Sequence, residues 1–258
     1  MDNQKIDSNY IVTSEAAGYP FTNATDSIRS RLYRSTSNSA WRLALDLGFQ
    51  DRINAVCIFA ALGESLGITR EATVKLEADN VLDWSSPDLS LTIPVNSDDR
   101  IVYFPDDSLE LNYRFWSLYI DDPTNPNAYI EFAHIYMGDY TSTEFRNVSN
   151  GFAWQTVDAT SVQKSLNGTA YFDIKTKYDR FSNLQFGLCA DADRQTLENL
   201  YDRSGIYTWM PISIDPEGKT VGDDIEKLTR LARFAGNFDR GHQIAGYYNV
   251  SFSLEEVI

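Results

Sequence analysis

Four aspartate pairs punctuate this 258-residue chain: Asp98 with Asp99, Asp106 with Asp107, Asp121 with Asp122, and Asp223 with Asp224. Adjacent carboxylates suit a hard cation such as Ca²⁺, which prefers carboxylate and carbonyl oxygens. None of the pairs lies in an EF-hand pattern, and each reads more simply as a solvated turn. The two histidines, His134 in "EFAHIYM" and His242 in "DRGHQIAG", have no companion ligands. HExxH, paired cysteine ligands and any local histidine cluster are missing, which argues against zinc. Neither a GxSxG elbow nor a phosphate-binding glycine loop occurs, and "LGESLG" reads as an ordinary loop. A glycosidase needs two carboxyl groups about 5–10 Å apart across a cleft, and the spacing of the 37 acids selects no such pair. The expectation is therefore a non-enzyme, with no catalytic, cofactor-binding or metal-binding residue and no cofactor.

Charge and composition narrow the partners. The formal net charge is −15, so phosphate backbones are repelled and nucleic acid is not an expected partner. The opening "MDNQKIDSNY" has neither the basic flank nor the apolar core of a signal peptide, and no apolar run approaches the ~20 residues of a membrane helix. Cys57 and Cys189 lie in apolar runs, "AVCIF" and "FGLCA", and read as buried reduced thiols; a disulfide between them stays open. Aromatic residues make up 13% of the chain, which favours pleated surfaces over helices. They also offer stacking faces for sugars, although Trp41 and Trp116, inside alternating runs, are expected in a core.

The elements that would position any site are mostly strands. Trp41, Leu43 and Leu45 alternate with polar residues in "WRLALDLG", which Gly48 should end. "RINAVCIFAAL" is nearly continuous in its apolar character, as in a strand covered on both faces. "ATVKLEA" puts Ala72, Val74 and Leu76 on one face, and "DRIVYF", "YRFWSLYI" and "AYIEFAHIYM" complete six strands. The polar stretch "DDPTNPN" between the last two reads as a sharp connection. Pro123 and Pro126 withhold ladder donors, and Asp and Asn close bends through side-chain bonds. Residues 1–37 read as an extended N-terminal arm, 38–145 as a β-sandwich, and 146–258 as a second β-sandwich with one covering helix over about 191–204. Asp191 is the candidate N-cap of that helix and Gly205 its stop. "DDIEKLTRLARFAG" fits either a helix or the approach to a strand.

The residues Asp46, Leu47, Gly48, Arg114, Trp116, Asp122, Pro123, Asn125, Pro126, Tyr129, Ile130 and Gly138 form a pattern. It resembles the galactose-binding-like (discoidin-like) modules of tailed-phage and prophage tail proteins. The second half, with "AYFDIKTKYDRFSNLQFGLC", the helix, "GIYTWMPISIDP" and "YYNVSFSLEEV", resembles the sandwich of distal tail and minor tail proteins. Its position differs, because distal tail proteins carry that sandwich first. The resemblance implies a structural component of a phage tail tip or baseplate. Such a component forms an oligomeric ring, contacts tail tube, hub and fibre proteins, is assembled in the host cytoplasm and resides in the virion. The alternative is a carbohydrate-binding module for host-surface glycans. The resemblance supplies no sugar-contact residues.

Overall fold

The computed structural model describes residues 5–6, 9–26, 28–105, 109, 111–140, 153–164, 167, 170–173, 175, 177–213 and 223–256. The chain is mainly β and its sheets are built from antiparallel pairs such as β3 with β8 and β14 with β18, as the alternation predicts. It divides into two compact units, one of residues 1–141 with 213–229, the other of 142–212 with 230–258. The expected boundary between residues 145 and 146 falls outside the described residues. The second half is not contiguous, since 213–229 groups with the first unit.

The first unit opens with β1 (Tyr10–Val12), α1 (Thr22–Thr25) and β2 (Tyr33–Arg34), then β3 (Trp41–Asp51), β4 (Ala55–Phe59), β5 (Thr73–Asp79) and β6 (Leu89–Ile93). β7 (Arg100–Tyr103), β8 (Tyr113–Asp121), β9 (Glu131–Phe132) and β10 (His134–Gly138) follow. β1-β3-β8-β5-β6 form a five-stranded sheet, β10-β4-β7 a three-stranded one, and β2 pairs with β9. The two larger sheets face each other across one core. Trp41, Leu43, Val74, Leu76, Trp116 and Leu118 come from the first, and Val56, Ile58, Ile101, Ile135 and Met137 from the second. Every residue of β4 is buried, as its continuous apolar run predicts. Val56 and Ile58 face the shared core, while α1 lies against β10 and α3 (Asp223–Leu228) against β7. The Arg100 Nη1 donates to the Thr229 carbonyl at 2.5 Å, anchoring the end of the 213–229 segment.

The extended arm is corrected. β1 pairs with β3 in the register Tyr10 to Leu45, and Phe21, Ala24 and Tyr33 are fully buried. The cause is the aromatic spacing within a polar background. Phe21, Tyr33, Trp41 and Phe132 pack ring against ring at centroid distances of 5.0–6.5 Å. Tyr33 Oη accepts a 2.5 Å bond from Trp41 Nε1 and donates to the Ser14 carbonyl, so the buried phenol is satisfied. Gly48 does not end its strand either. Its φ of 75° permits an irregularity between Asp46 and Asp51, after which pairing with β8 resumes at Tyr113. The connection "LGESLG" is a loop, as expected. A Cβ on its Gly67 would lie 2.6 Å from the Glu131 Cβ, so the close approach of these two backbones requires glycine.

The second unit contains β11 (Ala153–Val157), β12 (Ser161–Lys164), β13 (Ala170–Asp173), β14 (Tyr178–Ala190), α2 (Asp191–Ser204) and β15 (Met210–Ser213). β16 (Thr229–Phe234), β17 (Asp239–Ile244) and β18 (Tyr247–Glu256) complete it. A six-stranded sheet runs β11-β14-β18-β16-β15, with β17 also on β18, and β12 and β13 form a separate ribbon. α2 covers the sheet through Leu197 and Tyr201, whose ring meets Phe234 at 5.0 Å and Phe238 at 5.2 Å. Asp191 is not the N-cap. Ala190 holds that place, and Asp191, in the first turn, accepts from Arg194 and Gln195. The ambiguous "DDIEKLTRLARFAG" resolves into both options, α3 running directly into β16.

Candidate functional site

The loops at the Ala40–Asp121 end of the first unit carry the polar stretch "DDPTNPN", which reads as a sharp connection and whose acidic pair is one of those weighed for Ca²⁺. Its acids have unequal roles. Among the described residues Asp121 accepts only the Ala40 N–H, at 3.0 Å. Asp122 is fully buried and accepts the Thr69 N–H at 2.8 Å, the Thr69 hydroxyl at 2.6 Å and the Asn125 amide at 3.0 Å. That same Asn125 nitrogen also donates to the Gly67 and Tyr129 carbonyls, at 2.9 and 3.1 Å. The network ties the Gly67–Thr69 loop to the Asp122–Tyr129 loop and engages both oxygens of the carboxylate. The stretch is a shaped bend.

What the bend presents is Tyr129, and around it a cluster assembles from distant segments. The Arg34 guanidinium carbon lies 4.3 Å from the Tyr19 ring centroid and 4.2 Å from that of Tyr129. Its Nε and Nη2 both meet one oxygen of Glu131, at 2.7 and 2.5 Å. The hydrogen bond to Glu131 raises the Arg34 pKa above its ordinary value. Cation–π contact and a two-nitrogen ion pair fix the arginine in place. It in turn holds two half-buried phenol rings in fixed orientation. Exposed Thr124 and Asn127 lie in the loop that leads into Tyr129. Rigid rings edged by polar groups can stack on the apolar face of a sugar and bond its hydroxyls. The ion pair leaves the cluster with no net charge.

The other residues singled out by sequence do not converge. Asp98 pairs with Arg70 at 2.8 Å and Asp99 with Arg100, whose hydrogen bond helps hold the Asp99 pKa down at about 2 against the opposing effect of burial. Asp106 and Asp107 lie outside the described residues, as do the side chains of Asp223 and Asp224. His134 is buried, and burial together with the nearby Arg29 lowers its pKa to about 4, so it is neutral at pH 7. His242 is exposed and meets the Tyr248 ring edge-on at 5.4 Å. Cys57 and Cys189 are free, buried thiols with raised pKa values, the cause in each case being burial first. Among the described residues no three His, Cys, Asp or Glu side chains gather as a metal site, and no helix is long and apolar enough to cross a membrane.

Sequence reading missed Tyr19, Arg34 and Glu131. Two of these lay in the supposed arm, and only the pairing of β2 with β9 brings Arg34 opposite Glu131. The available signal was the aromatic spacing of that segment.

No family model matches this chain, and no curated protein does. Similar solved structures include the lectin-binding domain of lectinolysin, as a His 62 mutant complexed with Lewis b. It is 13% identical, with 55% of this chain and 98% of that one aligned at a TM-score of 0.42. A Streptococcus pneumoniae fucose-binding module is 9% identical over 55% and 100% of the two chains, at 0.42. A family 32 carbohydrate-binding module from C. perfringens, in complex with galactose, is 11% identical over 50% and 92%, at 0.38. At these scores the likeness carries no residue of a binding site across to this chain.

Proposed function

We propose that the first unit is a glycan-binding module that engages neutral sugars at the Tyr19–Arg34–Tyr129–Glu131 cluster, without turnover. One observation carries this reading: two tyrosine rings held about an arginine whose charge is already met, at the loop end of a β-sandwich. Such a cluster has stacking surface and hydrogen-bonding groups but no proton-transfer pair. The test is a titration of the full chain with neutral oligosaccharides, followed by NMR or on a glycan array. Tyr129→Ala should weaken binding about tenfold, the equivalent of ~1.4 kcal/mol, with little change in melting temperature. Lack of saturable binding by any neutral oligosaccharide would overturn it.

A second reading, favoured by a different observation, is an assembly component of a phage tail, resident in the virion and in contact with tail tube, hub or fibre proteins. The β12–β13 ribbon of the second unit exposes Val162, Tyr171 and Phe172 by 52–63%. A two-stranded ribbon is marginal alone in water, and aromatic residues so displayed suit packing against protein. Mass photometry separates the readings, because a closed ring at micromolar concentration favours assembly and a monomer opposes it.

A further inference from the structure

The outward face of the five-stranded sheet holds a second arginine between aromatic rings, and it differs from Arg34 in one decisive way. Arg42 on β3 lies directly across from Tyr119 on β8, which lies across from Lys75 on β5. Directly paired residues share a sheet face. The next row of that face is Ala44, Ser117, Glu77 and Ser90. The Arg42 guanidinium carbon is 4.9 Å from the Tyr119 ring centroid and 5.1 Å from that of Trp84, which comes from the β5–β6 loop. Its Nη1 donates to Glu77 at 2.5 Å and to Ser117 at 2.6 Å. Both partners are buried although they face outward.

All the side-chain hydrogen bonds that Arg42 makes among the described residues leave from that single nitrogen. Nε and Nη2 donate none among the described residues, neither belongs to the buried unsatisfied atoms, and the side chain keeps 17% of its exposure. These two nitrogens form the parallel fork that grips a carboxylate side-on, as Arg114 grips Asp46 at 2.8 Å on each arm. On Arg34 the corresponding fork is filled by Glu131. On Arg42 the fork is open and its orientation is fixed by the bonds from Nη1 and by the two rings. Lys75, half-buried beside Tyr119, adds a positive charge, while Glu77 cancels that of Arg42. Asp121, two residues beyond Tyr119 on β8 and so on the same face, offsets Lys75, so the open fork and not a surplus of charge would select an acid there.

We propose that Arg42, Trp84 and Tyr119 form a second binding site, for a carboxylate borne on a sugar ring, that is, a uronic-acid residue of an acidic glycan. The carboxylate fills the Nε/Nη2 fork and the ring's apolar face lies against Trp84 or Tyr119. This rests on the glycan-binding reading but uses a different face and the opposite preference in ligand charge. The fork favours a planar acid over neutral hydroxyls, because both of its bonds are then charge-assisted, and the rings favour an apolar face, so acetate alone is a poor substitute.

The experiment is an NMR titration of the full chain with a glucuronic-acid oligosaccharide, its methyl ester and acetate. Shifts should follow the Trp84 indole signal. The acid should saturate that signal, and the ester and acetate should bind at least tenfold more weakly. Arg42→Lys keeps a cation for Glu77 but removes the fork. It should keep the melting temperature within a few degrees and lose binding of the acid by tenfold or more, the difference expected for paired charge-assisted bonds. Trp84→Ala, on an outward loop and followed through the Arg42 and Tyr119 backbone amide signals, should do the same without touching the ion pair. Equal binding of acid and ester, unaltered binding by either variant, or no shift at millimolar acid would each overturn the site. Binding of neutral sugars that is lost in Tyr129→Ala alone belongs to the other cluster, so failure of one reading is distinguishable from failure of the other.

Discussion

Replacing Asp122 should damage the first unit far more than replacing its neighbour Asp121, although the two are adjacent and chemically identical. Asp122 is fully buried and accepts three hydrogen bonds, two from Thr69 and one from Asn125. Hydrogen bonds to a charged group contribute about 1.5–3 kcal/mol each, and a buried donor left without its acceptor costs about 1–3 kcal/mol. Because the three share one carboxylate they are not additive, and Asn125 keeps its bonds to the Gly67 and Tyr129 carbonyls. Asp122→Ala should therefore cost about 3–5 kcal/mol, close to the range for breaking a buried polar network. Asp122→Asn is nearly isosteric. It turns an N–H towards one of its present donors, so about 2–4 kcal/mol should still be lost. Asp121→Ala removes one bond, to the Ala40 N–H, from a half-buried group, a loss of about 0.5–1.5 kcal/mol. For a unit of this size 1 kcal/mol moves the melting temperature by about 2–4 °C. Asp122→Ala should thus lower it by roughly 10 °C and Asp121→Ala by roughly 2 °C. Urea unfolding followed by tryptophan fluorescence measures both. Equal losses for the two acids, or a loss below about 1 kcal/mol for Asp122→Ala, would show that the network does not hold the loops.

Two further outcomes follow from the same packing. His134 has a folded pKa of about 4, below its ordinary 6.5, so between those values the unfolded chain binds the extra proton. The stability held by the neutral, buried ring is therefore complete above pH 6.5 and falls as pH drops towards 4, by on the order of 3 kcal/mol. Urea midpoints at pH 7 and 4.5 should differ by less in His134→Gln than in the parent, and an unaltered difference would refute the assignment. Deletion of residues 1–37 should abolish folding of the first unit, because Phe21, Ala24 and Tyr33 belong to its core. A truncated chain with a cooperative melt near that of the intact protein would contradict this.

The sequence by itself determined the strand faces and the one long helix. Val74 and Leu76 point inward from β5, β4 is buried on both sides, and α2 spans Asp191–Ser204, because periods of 2 and 3.6 are local properties that any core must use. It also identified the stretch around Asp122 as a bend, since proline and asparagine act on their own backbone neighbours. What the sequence could not show was which segments meet. The first residues looked like a free arm because their apolar residues are sparse, and only across the sheet do Tyr10, Phe21 and Tyr33 find Leu45 and Trp41. Both arginine clusters have the same origin. Arg34 and Glu131 are 97 positions apart and Arg42 and Glu77 are 35 apart, so no local spacing relates them. Which arginine has its fork filled and which has it open depends on where a carboxylate arrives from another strand, and the folded register alone decides that.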